Sequence, residues 1–257
     1  MSRSSTHICR RNFRSSVSYN HIVGESSVSK PVALVTGASR GIGRAIALAL
    51  APTHDLVVVA RDTTHLEETA ALCRNAGASV QSLLLDVTDS ATVASALGGL
   101  VVDVLVNNAG VAVMRPFLEM TADEWHRMVD VNVNALYHVT KAVLPGMVTR
   151  GRGHVCTIGS IAGRNTFAGG TAYTGTKHFV MGFSESLMLE VRDAGVAVSV
   201  VMPGSVDTDL FPPGTNRTWM LEPKDVGDAV AFVVNSPPHM LVHRIEVRPL
   251  SPKRARG

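Results

Sequence analysis

Seven short apolar runs, separated by segments each long enough for a helix, constrain the fold of this chain more than any other feature. The runs are Val32–Thr36, Leu56–Ala60, Val80–Asp86, Val102–Asn107, His154–Gly159, Val196–Pro203 and Leu241–Val247. Most are rich in Val, Ile and Leu with no polar alternation, which is how strands buried on both faces read. Strand and helix repeated in turn give a parallel sheet with right-handed crossovers and helices on both faces. The expected fold class is α/β: one domain, doubly wound around a mostly or wholly parallel seven-stranded sheet. Helix punctuation agrees. Thr121 and Asp123-Glu124 open a long helical segment reaching about Thr149, where Gly151 and Gly153 stop it. Pro145 is expected to kink that segment or end it early. Glu222-Pro223 starts the last helix and Pro237-Pro238 closes it.

Of 257 residues 46% are hydrophobic and 18% charged, which excludes wholesale disorder, a fibrous repeat and a small disulfide-stapled scaffold. Cys9, Cys73 and Cys156 form no CxxC pair, so free thiols in a reducing, cytoplasmic setting are expected. No apolar stretch approaches the ~20 residues that span a bilayer. The net charge of +3 is unevenly placed. Residues 1–30 carry Arg3, Arg10, Arg11, Arg14 and Lys30 against Glu25 alone, and Lys253, Arg254 and Arg256 make a second basic end. The body between is therefore acidic, which argues against a nucleic-acid partner. The expected organisation is a tail over 1–30, a domain over 31–249 and a basic tail over 250–257. The first tail reads as disordered; its Arg- and Ser-rich, acid-poor composition also fits a transit peptide to an organelle matrix.

Thr36 to Gly43, read Thr-Gly-Ala-Ser-Arg-Gly-Ile-Gly, joins the first expected strand to an Ala-rich helix over Arg44–Ala51. Glycines at Gly37, Gly41 and Gly43, with Ser39, Arg40 and Ile42 between them, let the backbone approach a pyrophosphate resting on the free N–H groups of the helix start. The next strand ends Ala60-Arg61, where an NAD binder commonly carries an acid for the ribose hydroxyls. Ala60 removes that carboxylate, and Arg61 with Arg40 can clamp a 2′-phosphate, so NADP(H) is expected over NAD(H). Asp62 is the competing signal and is expected to point away.

Tyr173 and Lys177 stand at i and i+4, one turn apart on the same helix face. A cation beside a phenol favours the phenolate; lowering a tyrosine by three units takes about 4 kcal/mol of differential stabilisation. Ser160 ends the fifth expected strand, so it faces the same crevice as Gly37–Gly43 and Asn107–Gly110, outside the carboxyl ends of the strands. Ser160 and Tyr173 together can hydrogen-bond a carbonyl oxygen that gains negative charge.

In order and spacing, Thr36–Gly43, Asn107-Asn108-Ala109-Gly110, Asn132, Ser160, Tyr173, Lys177 and Pro203-Gly204 resemble the motif set of the short-chain dehydrogenase/reductase family, over roughly Pro31 to Asp209. The resemblance implies a Rossmann fold and an oxidoreductase interconverting a ketone or aldehyde and its alcohol. It implies Tyr173 as general acid/base, Lys177 lowering its pKa and holding the nicotinamide ribose, Ser160 orienting the carbonyl, and Asn132 holding a water that links Lys177 to solvent. Asp86 and Val87 would meet the adenine, Asn108, Ala109 and Gly110 the adenosine ribose, and Val206 and Thr208 the carboxamide. The favoured substrates are small to medium apolar carbonyl compounds, with 3-oxoacyl thioesters as the alternative; a non-catalytic NADP(H) sensor on the same fold is a second reading. Two features depart from the family. The last strand leads into Arg248-Pro249 rather than a glycine-rich segment that helps form tetramers, so a homodimer is expected over a tetramer. The segment from Asp209 to Leu221 is short for a substrate lid and stiffened by Pro212-Pro213, so an open pocket is expected. Phe211 and Trp219 there could stack on substrate or anchor the lid. His239 and His243 are not expected to bind metal, Cys156 reads as an inert hydrophobe, and Met114, Phe117 and Phe167 could line the pocket, with core packing the favoured reading of each.

Overall fold

The computed structural model describes residues 30–251, so the expectations placed on 1–29 and 252–257 lie outside it. Seven strands, β1 (Val32–Thr36), β2 (Asp55–Ala60), β3 (Val80–Leu84), β4 (Val104–Asn107), β5 (Gly153–Ile158), β6 (Val196–Pro203) and β7 (Arg244–Val247), form one sheet in the order β3-β2-β1-β4-β5-β6-β7. Every pairing is parallel. Strand order reverses between β1 and β4, and the crevice where ligands bind such sheets opens at that point.

The central strands are buried almost end to end, as their unbroken apolar runs require. The outer strands β3 and β7 differ: each has only one neighbour, and Leu84 is exposed. The run expected over Leu241–Val247 pairs only from Arg244, and the one over Val80–Asp86 stops at Leu84, because Leu85 to Val87 turn into the crevice wall.

Helices α1 (Gly41–Leu50), α2 (Thr63–Asn75) and α7 (Pro223–Val234) cover one face, burying Ile46, Leu50, Leu66, Val226 and Val230 against β1 and β2. Helices α3 (Ser90–Leu97), α5 (Ala135–Arg150) and α6 (Thr171–Val191) cover the other, with Leu97, Val139, Met147 and Leu187 on Leu34, Leu105 and Val198. Thr121 caps α4 (Ala122–Val129) with a reciprocal pair: its hydroxyl accepts from Glu124 N–H, and Glu124 accepts from the Thr121 N–H. The long helical segment does not break at Pro145, which sits inside α5. It widens earlier, into one π-turn over Asp130–Asn134 between α4 and α5. Gly151 then ends α5 in the left-handed conformation, at φ 67°.

Candidate active site

The glycine loop leaves β1 and enters α1 through two positions where the backbone itself is the limit. Gly37 has φ 65°, a conformation that L side chains avoid. A Cβ on Gly43 would lie 2.1 Å from the Gly37 carbonyl oxygen, so this glycine permits the close approach of loop and helix. Helix α1 begins with no side-chain cap, leaving its first N–H groups to the crevice. Two side chains fix the loop. Asn108 Nδ2 donates to Thr36 O (2.9 Å) and Gly37 O (3.2 Å). Arg44, which the sequence reading did not single out, donates from Nη2 to Ser39 O (2.7 Å) and pairs with Glu68.

The loop forms one end of a crevice of about 650 Å³. Its walls include Gly37, Ser39, Arg40, Gly41, Ile42, Gly43, Arg61, Asp86, Val87, Asn108, Ala109, Gly110, Tyr173, Lys177, Pro203 and Thr208, all singled out from sequence. Four expected residues stand outside those walls. Val206 is buried in the core and bridges to Leu221. Gly204 packs against the C-terminal segment, where a Cβ would lie 3.0 Å from Pro249. Ser160 is buried just behind the wall, where its hydroxyl accepts from Ala162 N–H (3.1 Å).

Asn132 is the fourth, and its side-chain amide is bonded to protein partners. Nδ2 donates to Val111 O (2.8 Å) and Thr176 Oγ1 (3.1 Å), and Oδ1 accepts from Val111 N (2.8 Å). Asn132 also lines a small cavity of about 20 Å³ with Lys177, Thr36, Asn107 and Thr157. That volume accommodates one water. The buried Thr157 hydroxyl has no hydrogen-bond partner among the described residues, a feature that no motif or periodicity marks.

Tyr173 and Lys177 project from the first turns of α6, with Lys177 Nζ 5.9 Å from the centre of the Tyr173 ring. Nζ donates to Ile158 O (3.0 Å), tying α6 to the end of β5. Burial lowers Lys177 to about 8. The expected depression of Tyr173 is not found in the protein alone: burial pushes its phenol above the usual range, opposed by the Ser160 hydroxyl. At the far corner Arg61 pairs with Asp86 (3.3 Å) and Arg40 with Asp209 (3.2 Å). Asp62 does not point away as expected: it lines the crevice, with its carboxylate accepting from His65 N–H (3.1 Å) at the start of α2.

Trp219 Nε1 donates to Asn216 O (2.9 Å) and Arg217 Nη2 to Phe211 O (2.7 Å), so these residues brace the segment after β6; Leu210 reaches the crevice wall. Met114, Phe117 and Phe167, expected in the core, are 50%, 62% and 43% exposed. They sit on the loops after β4 and β5, which Arg115 N–H joins by donating to Gly169 O (2.8 Å). Cys156 is buried, and its thiol is pushed up to about 12. His243 spends Nδ1 on Val198 O (2.9 Å), and among the described residues no three His, Cys, Asp or Glu side chains converge as a metal site. No helix among them is long and apolar enough to cross a membrane.

The short chain dehydrogenase family model matches residues 31–217. The NADP-dependent 3-hydroxy acid dehydrogenase of Salmonella typhi is 34% identical over 239 residues, covering 86% of this chain and 95% of that protein. The 3-oxoacyl-[acyl-carrier-protein] reductase of Escherichia coli (strain K12) is 38% identical over 184 residues, 70% of this chain and 75% of that protein. Among solved structures, a metagenomic short-chain oxidoreductase in complex with NADP is 35% identical with a TM-score of 0.77, covering 88% of this chain and 100% of that one. The closed form of serine dehydrogenase complexed with NADP+ is 32% identical with a TM-score of 0.78, covering 87% and 97%.

Proposed function

The chain belongs to the short-chain dehydrogenase family, and from that premise we propose the part each site residue plays. The protein is an NADP(H)-dependent oxidoreductase that interconverts small carbonyl compounds and their alcohols. A nicotinamide dinucleotide suits the residues present: a Cβ at Gly43 would close the cradle, α1 offers uncapped N–H groups, and among the described residues Lys177 has one acceptor for its three donors. When bound, that cofactor supplies or accepts the hydride. Tyr173 gives its phenolic proton to the oxygen of a carbonyl substrate, or takes one from an alcohol, and Ser160 orients that oxygen. Lys177 holds the cofactor's ribose and favours the phenolate of Tyr173. Asn132 fixes Val111 and α6 around the small cavity, where one water beside Lys177 and Thr157 passes the proton onward.

Small to medium apolar carbonyl compounds are the favoured substrates. The half-exposed Met114, Phe117 and Phe167 support this, because they place apolar surface on the two loops flanking the catalytic end. A 3-oxoacyl thioester is the second reading, supported by the likeness to the acyl-carrier-protein reductase. The location favoured is the cytoplasm, from the free, buried Cys73 and Cys156.

The observation that carries the catalytic reading is the placement of Tyr173 and Lys177 on one helix face, with Ser160 behind them at the end of β5. Tyr173→Phe is expected to lower kcat for reduction of an apolar ketone by at least a thousandfold, with the NADPH dissociation constant changed less than threefold. Retained turnover would sink the role of Tyr173.

We propose further that the protein is a homodimer joined through α5 and α6. Tyr137 and Val148 on α5, and Phe179 and Leu189 on α6, leave these helices with exposed apolar area that a second copy would cover. Sedimentation at micromolar concentration is expected to give about twice the monomer mass of 27.2 kDa, and Phe179→Glu to shift it to the monomer. A wild-type monomer would overturn the assignment.

A further inference from the structure

We propose that Asp209 tunes NADP(H) binding by competing with the cofactor's 2′-phosphate for Arg40, an inference that rests on the reading of Arg40 as a phosphate ligand. Arg40 Nη1 and Asp209 Oδ2 are 3.2 Å apart and join the glycine loop to the segment that follows β6. Both residues line the crevice, and Thr208, next in the chain to Asp209, lies against the loop at 3.5 Å from a Cβ built on Gly41.

At this corner two guanidiniums, Arg40 and Arg61, meet three carboxylates, Asp62, Asp86 and Asp209. A phosphate dianion entering there is repelled unless a carboxylate leaves. Two of the three are tied down within their own turns. Asp62 accepts from His65 N–H and pairs with the His65 ring. Asp86 accepts from Thr88 N–H and the Thr88 hydroxyl through Oδ1, with Arg61 on Oδ2. Asp209 is held, among the described residues, by Arg40 alone. The pair is 69% and 72% exposed, so the bond is weak and readily exchanged. A phosphate offers Arg40 a stronger, charge-assisted acceptor. Its arrival therefore displaces Asp209 and releases residues 209–221 from the glycine loop, whereas NAD(H), lacking the 2′-phosphate, leaves the bridge in place.

The test is calorimetric titration of Asp209→Asn and Arg40→Ala with NADPH and NADH at low and high salt. Asp209→Asn is expected to tighten NADPH binding about threefold at low salt, with little gain at high salt and no change for NADH. An equal change for both cofactors, or none, overturns the inference. Arg40→Ala separates the two layers. If it leaves NADPH binding unaltered, the reading of Arg40 itself falls; if it weakens NADPH binding while Asp209→Asn has no effect, only the competition falls. Trp219 supplies an independent readout in a Trp125→Phe background: its emission is expected to change with NADP+ and not with NAD+. The same response to both dinucleotides overturns the release of the segment.

Discussion

Burial moves the two central ionisable residues toward neutrality: Tyr173 above its usual range and Lys177 down to about 8. Both shifts have one cause, the cost of holding charge in a dry crevice. At neutral pH Tyr173 is therefore neutral while Lys177 keeps most of its charge, and the small cavity behind Lys177 offers their proton a buried route toward solvent. Thr157 tests that route because its hydroxyl is buried beside Lys177 without a partner. If one water fills the cavity, Thr157→Val removes a ligand of that water; kcat is expected to fall about fivefold and the pH–rate profile to shift, with Thr157→Ser restoring both. A dry cavity predicts the opposite sign, because an isosteric valine then removes an unpaired buried hydroxyl and raises Tm without touching kcat. Such a residue is silent in sequence: an apolar strand containing one threonine reads as ordinary core.

At the scale of elements, the π-turn between α4 and α5 sets where Asn132 points. One extra residue in that turn accompanies the placement of Asn132 facing inward, where it pairs with both main-chain groups of Val111 and with Thr176 on α6. The loop after β4 is thus fastened to the helix that carries Tyr173 and Lys177. Asn132→Ala leaves two part-buried main-chain groups of Val111 without a partner and is expected to cost about 1 kcal/mol of stability in denaturant titration. KM for the carbonyl substrate should rise with it, because the loop bearing Met114 and Phe117 loses its anchor. A full-strength KM beside the lost stability would limit Asn132 to holding the fold. Capping shows the other side of legibility. Thr121, Glu124 and Gly151 were readable because each acts on its own turn, whereas Pro145 was misleading because α5 tolerates it within an otherwise packed helix.

Across the whole molecule, stability should depend on pH most strongly through two of the three groups whose basicity burial depresses, His154 and Lys177, with His54 lowered in the same direction. His154, desolvated between β4 and β6, is lowered from 6.5 to about 4. Between those values the unfolded chain takes up a proton that the folded one refuses, so stability falls on acidification, by on the order of 2 kcal/mol. Lys177 acts between about 8 and 10.5, where the folded protein has already lost its proton, so stability rises as pH rises through that window. Denaturant midpoints across pH check both limbs: His154→Gln should flatten the acid one and Lys177→Met the basic one, and unchanged slopes would refute the assignment. The order of strands and helices, the glycine cradle and the Tyr173–Lys177 spacing were all fixed by residues close together in the chain. Periodicity, turn chemistry and i,i+4 geometry are local, and local physics can be read from a string. The tertiary structure alone decided which carboxylate Arg40 holds across 169 positions, that Asn132 is spent on Val111, that Val206 faces the core, and that Thr157 lies unpartnered beside Lys177. Those outcomes depend on which groups lose water together, and that is settled only when distant segments pack.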